Sequence, residues 1–139
     1  MNYTLPDKRV ITIPGKSRIE CPELLFKPEL DGMSCKSIHG LCVASINTSD
    51  IDVRKDLTKN LILSGGTTMY EGLADRLKEE VTAQLPAGSE VRVVASADRK
   101  FAVWKGASTL ASLSTFESSW ITAEDYEEHG AQIVHRKCA

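Results

Sequence analysis

Met69, Leu73, Leu77, Val81 and Leu85 fall four residues apart, with Asp75, Arg76, Lys78, Glu79 and Glu80 between them. That spacing stacks the apolar side chains on one stripe of a helix and leaves the charges on the other. A stripe of this kind needs a core to face, and the flanking sequence supplies one. Leu61-Ile62-Leu63 is too short an apolar run for a helix and stops at Ser64-Gly65-Gly66-Thr67-Thr68, which reads as a buried strand entering a tight turn. Pro86-Ala87-Gly88-Ser89 ends the helix, and Glu90-Val91-Arg92-Val93-Val94-Ala95 reads as the next strand. A strand, a helix and a strand in succession predict a parallel pair joined by a right-handed crossover.

Around this unit the signals are more local. Tyr3-Thr4-Leu5 and Val10-Ile11-Thr12-Ile13 flank the turn Pro6-Asp7-Lys8-Arg9, the pattern of a hairpin. Pro14 to Pro28, rich in Pro, Gly and charge, reads as a loop. Ile38, Leu41, Cys42 and Ser45 recur at helical spacing between Ser37 and Ile46, and Ile51–Lys59 reads as a second helix capped by Ser49 or Asp50. Val103, Trp104, Ala107, Leu110, Ala111 and Leu113 mark one more. Ser114-Thr115-Phe116-Glu117 and Thr122-Ala123-Glu124-Asp125 resemble helix starts, with a hydroxyl followed three residues on by an acid. Gly130 after His129 suits a C-terminal cap.

The 139 residues make the length of one domain, with 42% hydrophobic and 6% aromatic residues to form an aliphatic core. Lys+Arg 17 against Asp+Glu 19 argues against nucleic acid as a partner. The balance equally leaves no polybasic membrane anchor, and no apolar run approaches a bilayer span. Met1 to Pro6 lacks the apolar stretch of a signal peptide, so a cytoplasmic location is expected. Cys21, Cys35, Cys42 and Cys138 form no C-x-x-C pair and His39, His129 and His135 are scattered, so no metal site is expected and the thiols read as reduced and mostly buried.

Ser64-Gly65-Gly66-Thr67-Thr68-Met69-Tyr70 is the stretch with chemical promise. Two glycines after a strand let backbone approach a ligand closely, and a following helix would aim free N–H groups at a phosphate. No Gly-Lys-Ser/Thr follows, so this is not a P-loop, and spacing alone equally allows a plain turn.

Leu63-Ser-Gly-Gly-Thr-Thr-Met-Tyr70 is similar to the second nucleotide-binding segment of actins. Tyr3-x-Leu-Pro-Asp7, Val10-Ile-Thr-Ile13, Cys21-Pro-Glu23, Asp52-Val-Arg-Lys-Asp-Leu57, Leu110-Ala-Ser-Leu-Ser-Thr-Phe116 and Ile133-Val-His-Arg-Lys-Cys138 resemble actins in the same order. The resemblance runs the length of the chain, and the Ile-Val-His-Arg-Lys-Cys tail favours conventional actins over the distant actin-related proteins. It implies the C-terminal part of the actin-like ATPase (ribonuclease H-like) α/β fold, with a mixed sheet, flanking helices and a helical C-terminal segment. Residues 1–33 would lie at the boundary of the fourth and third actin subdomains, 34–101 in the third, and 102–139 in the first.

Carried over by position, Gly65, Gly66, Thr67, Met69, Tyr70 and Lys100 would contact ATP or ADP, held with Mg²⁺ in an intact actin-like fold. Asp50, Asp52 and Arg54 match a segment of longitudinal filament contacts, with actin or actin-like subunits as implied partners. Actin-binding proteins would meet an apolar cleft in which Leu110, Leu113 and Thr115 keep the family pattern while Lys105, Thr109 and Ser119 stand where actins carry apolar residues. Leu30-Asp31-Gly32-Met33 places an acid in the loop actins use as an apolar plug, and Ala139 replaces a terminal aromatic. The first phosphate loops and the metal-positioning acids match nothing in this chain. The resemblance therefore implies a cytoskeletal chain that contributes one side of a nucleotide cleft and a filament or partner surface. It leaves open an ATPase completed by a second chain, or a truncated paralogue without activity of its own.

Overall fold

Leu73, Leu77 and Val81 are 5%, 4% and 0% exposed, so the apolar stripe is the inner face of a helix, α4 (Leu73–Gln84). A computed structural model describes residues 1–138. In it α4 lies between two parallel strands, β3 (Leu61–Ile62) and β4 (Val93–Val94), paired Leu61 to Val93 and Ile62 to Val94. The pairing continues past the strand ends, where Leu63 N–H donates to the Val94 carbonyl at 2.9 Å.

Two helices complete this unit. Ser37 caps α2 (Ile38–Thr48) by accepting from the Gly40 N–H at 3.3 Å, and Asp50 caps α3 (Ile51–Lys59) by accepting from the Asp52 N–H at 3.1 Å. Packing turns α2 differently from the expected stripe. Val43 and Ile46 are buried while Leu41 is exposed, because Ile38, Cys42 and Val43 join the core shared with α4 and Ile46 lies on the side toward α3. The core joins Phe26, Val43, Leu63, Leu73, Leu77, Val81 and Val91, with Leu25, Ile38, Leu61, Leu85 and Val93 around it.

The N-terminal hairpin forms as expected, β1 (Asn2–Thr4) antiparallel to β2 (Val10–Thr12), although every strand residue is exposed. The expected loop from Pro14 to Pro28 is instead mostly helical: α1 (Gly15–Glu23) follows Pro14, and a 3₁₀ turn covers Pro28–Asp31. Proline ahead of a helix removes only an N–H that would have no helical acceptor, so its presence did not exclude one. Glu23 anchors α1 through the Arg76 guanidinium at 3.2 Å and Lys27 at 3.2 Å, and Arg76 lies 5.1 Å over the Phe26 ring. The Lys27 ammonium first, and Arg76 with it, hold the Glu23 carboxyl below its ordinary range.

The C-terminal helices pack differently. No side chain of α5 (Ala102–Ala111) is buried, and the helix stops short of Leu113. The 3₁₀ turn Ser114–Ser119 has no side-chain cap, contrary to the helix start read at Ser114. At α6 (Ala123–His129) the capping box is complete: Thr122 Oγ1 accepts from the Asp125 N–H at 3.1 Å and Asp125 accepts from the Thr122 N–H at 3.0 Å. Gly130, φ 62°, ends it, and Ile133 is buried ahead of α7 (Val134–Lys137). The thiols were expected to be mostly buried. Cys21, Cys35 and Cys138 are instead exposed and only Cys42 is partly covered; Cys21 lies on α1, which buries none of its side chains. Ala139 lies outside the described residues.

Candidate functional site

β3 delivers the chain into the glycine turn, and Gly65 makes the bend. Its φ of 96° and ψ of 163° fall in a region that essentially only glycine occupies. Its N–H donates to the Arg99 carbonyl at 2.9 Å, and its carbonyl accepts from Thr68 twice, from N–H at 3.2 Å and from Oγ1 at 2.7 Å. A 3₁₀ turn, Gly66–Met69, follows. The helix expected to begin at Met69 starts only at Leu73, because Gly72 turns left-handed at φ 77° ahead of it. Free donors at the turn therefore come from the 3₁₀ segment and not from α4. Among the described residues no protein acceptor takes the N–H of Gly66 or Thr67.

The two glycines do different work. Gly65 satisfies a backbone conformation, whereas Gly66 has open space where a Cβ would stand and no unusual φ. Thr67 is exposed, and Met69 and Tyr70 are 41% and 46% exposed.

Arg99, which the residue pattern did not single out, fastens this loop to the segment after β4. Its Nε and Nη2 donate to the Thr68 carbonyl at 3.0 and 2.8 Å, and its Nη1 to the Ser96 carbonyl at 2.9 Å. A charged fork saturating backbone oxygens is a strong tether. Its position beside Lys100 was the only signal available. Lys100 belongs to the 3₁₀ turn Arg99–Phe101, with Nζ 5.2 Å from the Phe101 ring centroid. The fold thus brings the glycine turn and the Arg99–Lys100 segment side by side. Tyr70 also borders a cleft of about 400 Å³ walled by Ile19, Phe26 and Arg76.

The other expected positions lie elsewhere. Asp50 is a helix cap, Asp52 is exposed, and Arg54 Nε donates to the Ser49 carbonyl at 3.0 Å. Asp31 ends its 3₁₀ turn and Met33 is exposed. Thr109, Leu110, Leu113 and Ser119 are all exposed on the C-terminal segment. Lys105 is not a free cation: its Nζ meets Asp98 Oδ2 at 2.5 Å, and the Ser96 hydroxyl donates to the same carboxylate. These bonds hold the Asp98 carboxyl down at about 2.

A helix linking two parallel strands, with a glycine turn after the first of them, defines a mixed α/β protein. The family model described as Actin matches residues 1–139. The chain belongs to the actin family, whose members generally bind ATP or ADP with Mg²⁺ and work in the cytoplasmic cytoskeleton. No helix among the described residues is long and apolar enough to cross a membrane.

Proposed function

We propose that this chain is an actin-like cytoskeletal component that supplies one wall of a nucleotide cleft within a ribonuclease H-like fold. Gly65, Gly66, Thr67, Met69, Tyr70 and Lys100 form that wall. The observation that carries the reading is the open space at Gly66 beside the unclaimed N–H groups of Gly66 and Thr67. Phosphate oxygens fit such donors, and Lys100 stands on the neighbouring 3₁₀ turn. The described residues include no group of three or more His, Cys, Asp or Glu side chains able to hold a metal ion. In this reading the chain's own part is to bind and orient ATP or ADP, and Mg²⁺ bound with the nucleotide would neutralise phosphate charge. Phosphoryl transfer depends on groups placed around that charge and on an oriented water. This chain alone should therefore release no phosphate.

The filament or partner surface in this reading comprises Asp31 and Met33 in the plug loop, Asp50, Asp52 and Arg54 in the longitudinal segment, and Lys105, Thr109, Leu110, Leu113 and Ser119 on the C-terminal segment. Its partners are actin-like subunits and actin-binding proteins. The exposure of Val103, Trp104, Leu110 and Leu113 favours a second reading, in which a complementary actin-like lobe covers α5 and completes an ATPase.

The wall is tested by titrating the ¹⁵N-labelled chain with MgATP. The amides of 65–70 and 99–101 should shift, weakly and saturably. Gly66→Val should remove those shifts and leave the circular dichroism unchanged, because a Cβ at this position has open space within 4 Å and the backbone φ is ordinary. Shifts that persist in Gly66→Val would overturn the assignment.

A further inference from the structure

On α3, Ile51, Arg54, Lys55, Thr58 and Lys59 stand at i, i+3, i+4, i+7 and i+8, the stripe by which a helix meets its neighbours. All five border one cleft of about 630 Å³, closed by Ile46 and Asn47 of α2 and by the loop from Leu85 to Glu90. A helix packed into a core carries apolar side chains on such a stripe. Here three of these five positions are cationic, and the space in front of them is unfilled.

The charge in the cleft is one-sided. Its only carboxylate, Glu90, is held by Lys59 at 2.7 Å. Arg54 spends Nε on the Ser49 carbonyl, which steadies the guanidinium while neither Nη group meets a protein acceptor among the described residues. Lys55 makes no ion pair within 4 Å among those residues, although its charge also acts on Glu90, and its carbonyl accepts from the Thr58 hydroxyl at 2.9 Å. Beside these cations the lining has an apolar part, Ile46, at 5% exposure, with Leu85, Pro86 and Ala87, and two neutral polar side chains, Asn47 and Ser89.

We propose that this cleft binds a small amphipathic anion, with a carboxylate or phosphate head at Arg54 and Lys55 and a short apolar body against Ile46, Leu85 and Pro86. The guanidinium fork suits a two-oxygen head, and the volume lies within the roughly 300–1,000 Å³ of small-molecule sites. The site is separate from the glycine turn, so it stands or falls independently of the nucleotide reading. Arg54 also belongs to the proposed partner surface, and an anion bound there would compete with a partner for it.

The test titrates the ¹⁵N-labelled full chain with sodium octanoate, with octylammonium and inorganic phosphate run alongside. Octanoate should shift the amides of 46–59 and 85–90 saturably, and neither other compound should. Arg54→Gln should weaken octanoate binding about tenfold or more, the worth of a hydrogen bond between charged groups. Lys55→Gln, which breaks no backbone tether, should weaken it in the same direction and covers the case in which Arg54→Gln disturbs the α2–α3 junction. Shifts that survive both substitutions, an equal response to octylammonium, or shifts spread over α5 and α6 would each overturn the proposal. So would binding of a glutamate-rich peptide with none of octanoate, which would assign the cleft to a partner segment instead.

Discussion

Between Phe26 and Val91 the chain buries Phe26, Val43, Ile46, Leu63, Leu73, Leu77, Val81 and Val91; from Ala102 onward only Ile133 is buried among the described residues. Both regions carry helices with apolar stripes. α4 packs its stripe against α2 and β4, whereas α5 packs chiefly against the 3₁₀ turns next to it in sequence. Val103 and Trp104 are consequently 75% and 71% exposed. A stripe shows that a helix has a face to bury; whether it is buried depends on a partner from elsewhere in the chain. The central unit has one because its crossover returns β4 to β3, and the C-terminal helices follow one another without such a return.

The largest effect that could break this contrast is in the core. Leu77→Ala should lower unfolding stability in urea by about 3 kcal/mol, the usual cost of deleting a buried leucine side chain. Val103→Ala should stay within about 0.5 kcal/mol, as exposed substitutions do. Similar losses at both sites would mean that α5 is covered in solution, by a second copy or by another part of the molecule. The glycine turn sharpens the comparison within the central unit. Gly65→Ala should cost about 1–3 kcal/mol, because its backbone lies where a Cβ is strained, and Gly66→Ala should cost far less. Equal costs in thermal melts would mean that the bend is not held at Gly65.

The sequence made the central unit legible because three signals agreed. A run too short for a helix, a glycine turn and a fourfold stripe admit little besides a strand, a crossover helix and a strand. The capping box at Thr122 and Asp125 was legible because it is local. The exposure of α5 was not, since its stripe resembles that of any packed helix and nothing in spacing reports the missing partner. α1 was hidden by its composition: Pro14, Gly15 and Pro22 read as a loop, and the ion pair from Glu23 to Arg76 joins residues far apart in sequence, whose proximity depends on the fold. At the glycine turn the sequence marked both glycines and Lys100. It could not mark Arg99, whose value lies in reaching the Thr68 carbonyl across the parallel pair.

A smaller effect separates local from global stability in the C-terminal region. Thr122→Ala removes the N-cap of α6 and should cost that helix about 1 kcal/mol. Faster amide exchange should be confined to α6 and α7, since Lys137 Nζ also bonds Asp125 and the Trp120 carbonyl, at 2.6 and 2.7 Å. The exchange of α4 should not change. Acceleration in both helical regions would mean that the molecule opens as one unit, against the contrast drawn above.

The smallest effect is electrostatic and lies where the two regions meet. Asp98 follows β4 and pairs with Lys105 on α5, and the Lys105 ammonium, with the Ser96 hydroxyl, lowers its carboxyl from 3.8 to about 2. A carboxyl lowered on folding contributes stability that is fully present above its unfolded value, and loses it as pH falls through its folded value. The loss from this pair therefore belongs between about pH 4 and pH 2. With both side chains about half exposed, solvent and salt screen the pair. Its readout is the carboxyl resonance of Asp98, which should titrate near 2 in the native chain and rise toward 3.8 in Lys105→Ala, stopping short of it because the Ser96 hydroxyl still donates to the carboxylate. Added salt should move the native midpoint in the same upward direction. An unshifted midpoint in Lys105→Ala would mean that the ion pair does not persist in solution, and Lys105 would then stand as an unpaired cation on the exposed α5 face. A partner covering that face would have to desolvate it alone, at several kcal/mol. Paired with Asp98, Lys105 carries its own counter-charge, so the position that departs most from an apolar cleft can be covered at lower cost.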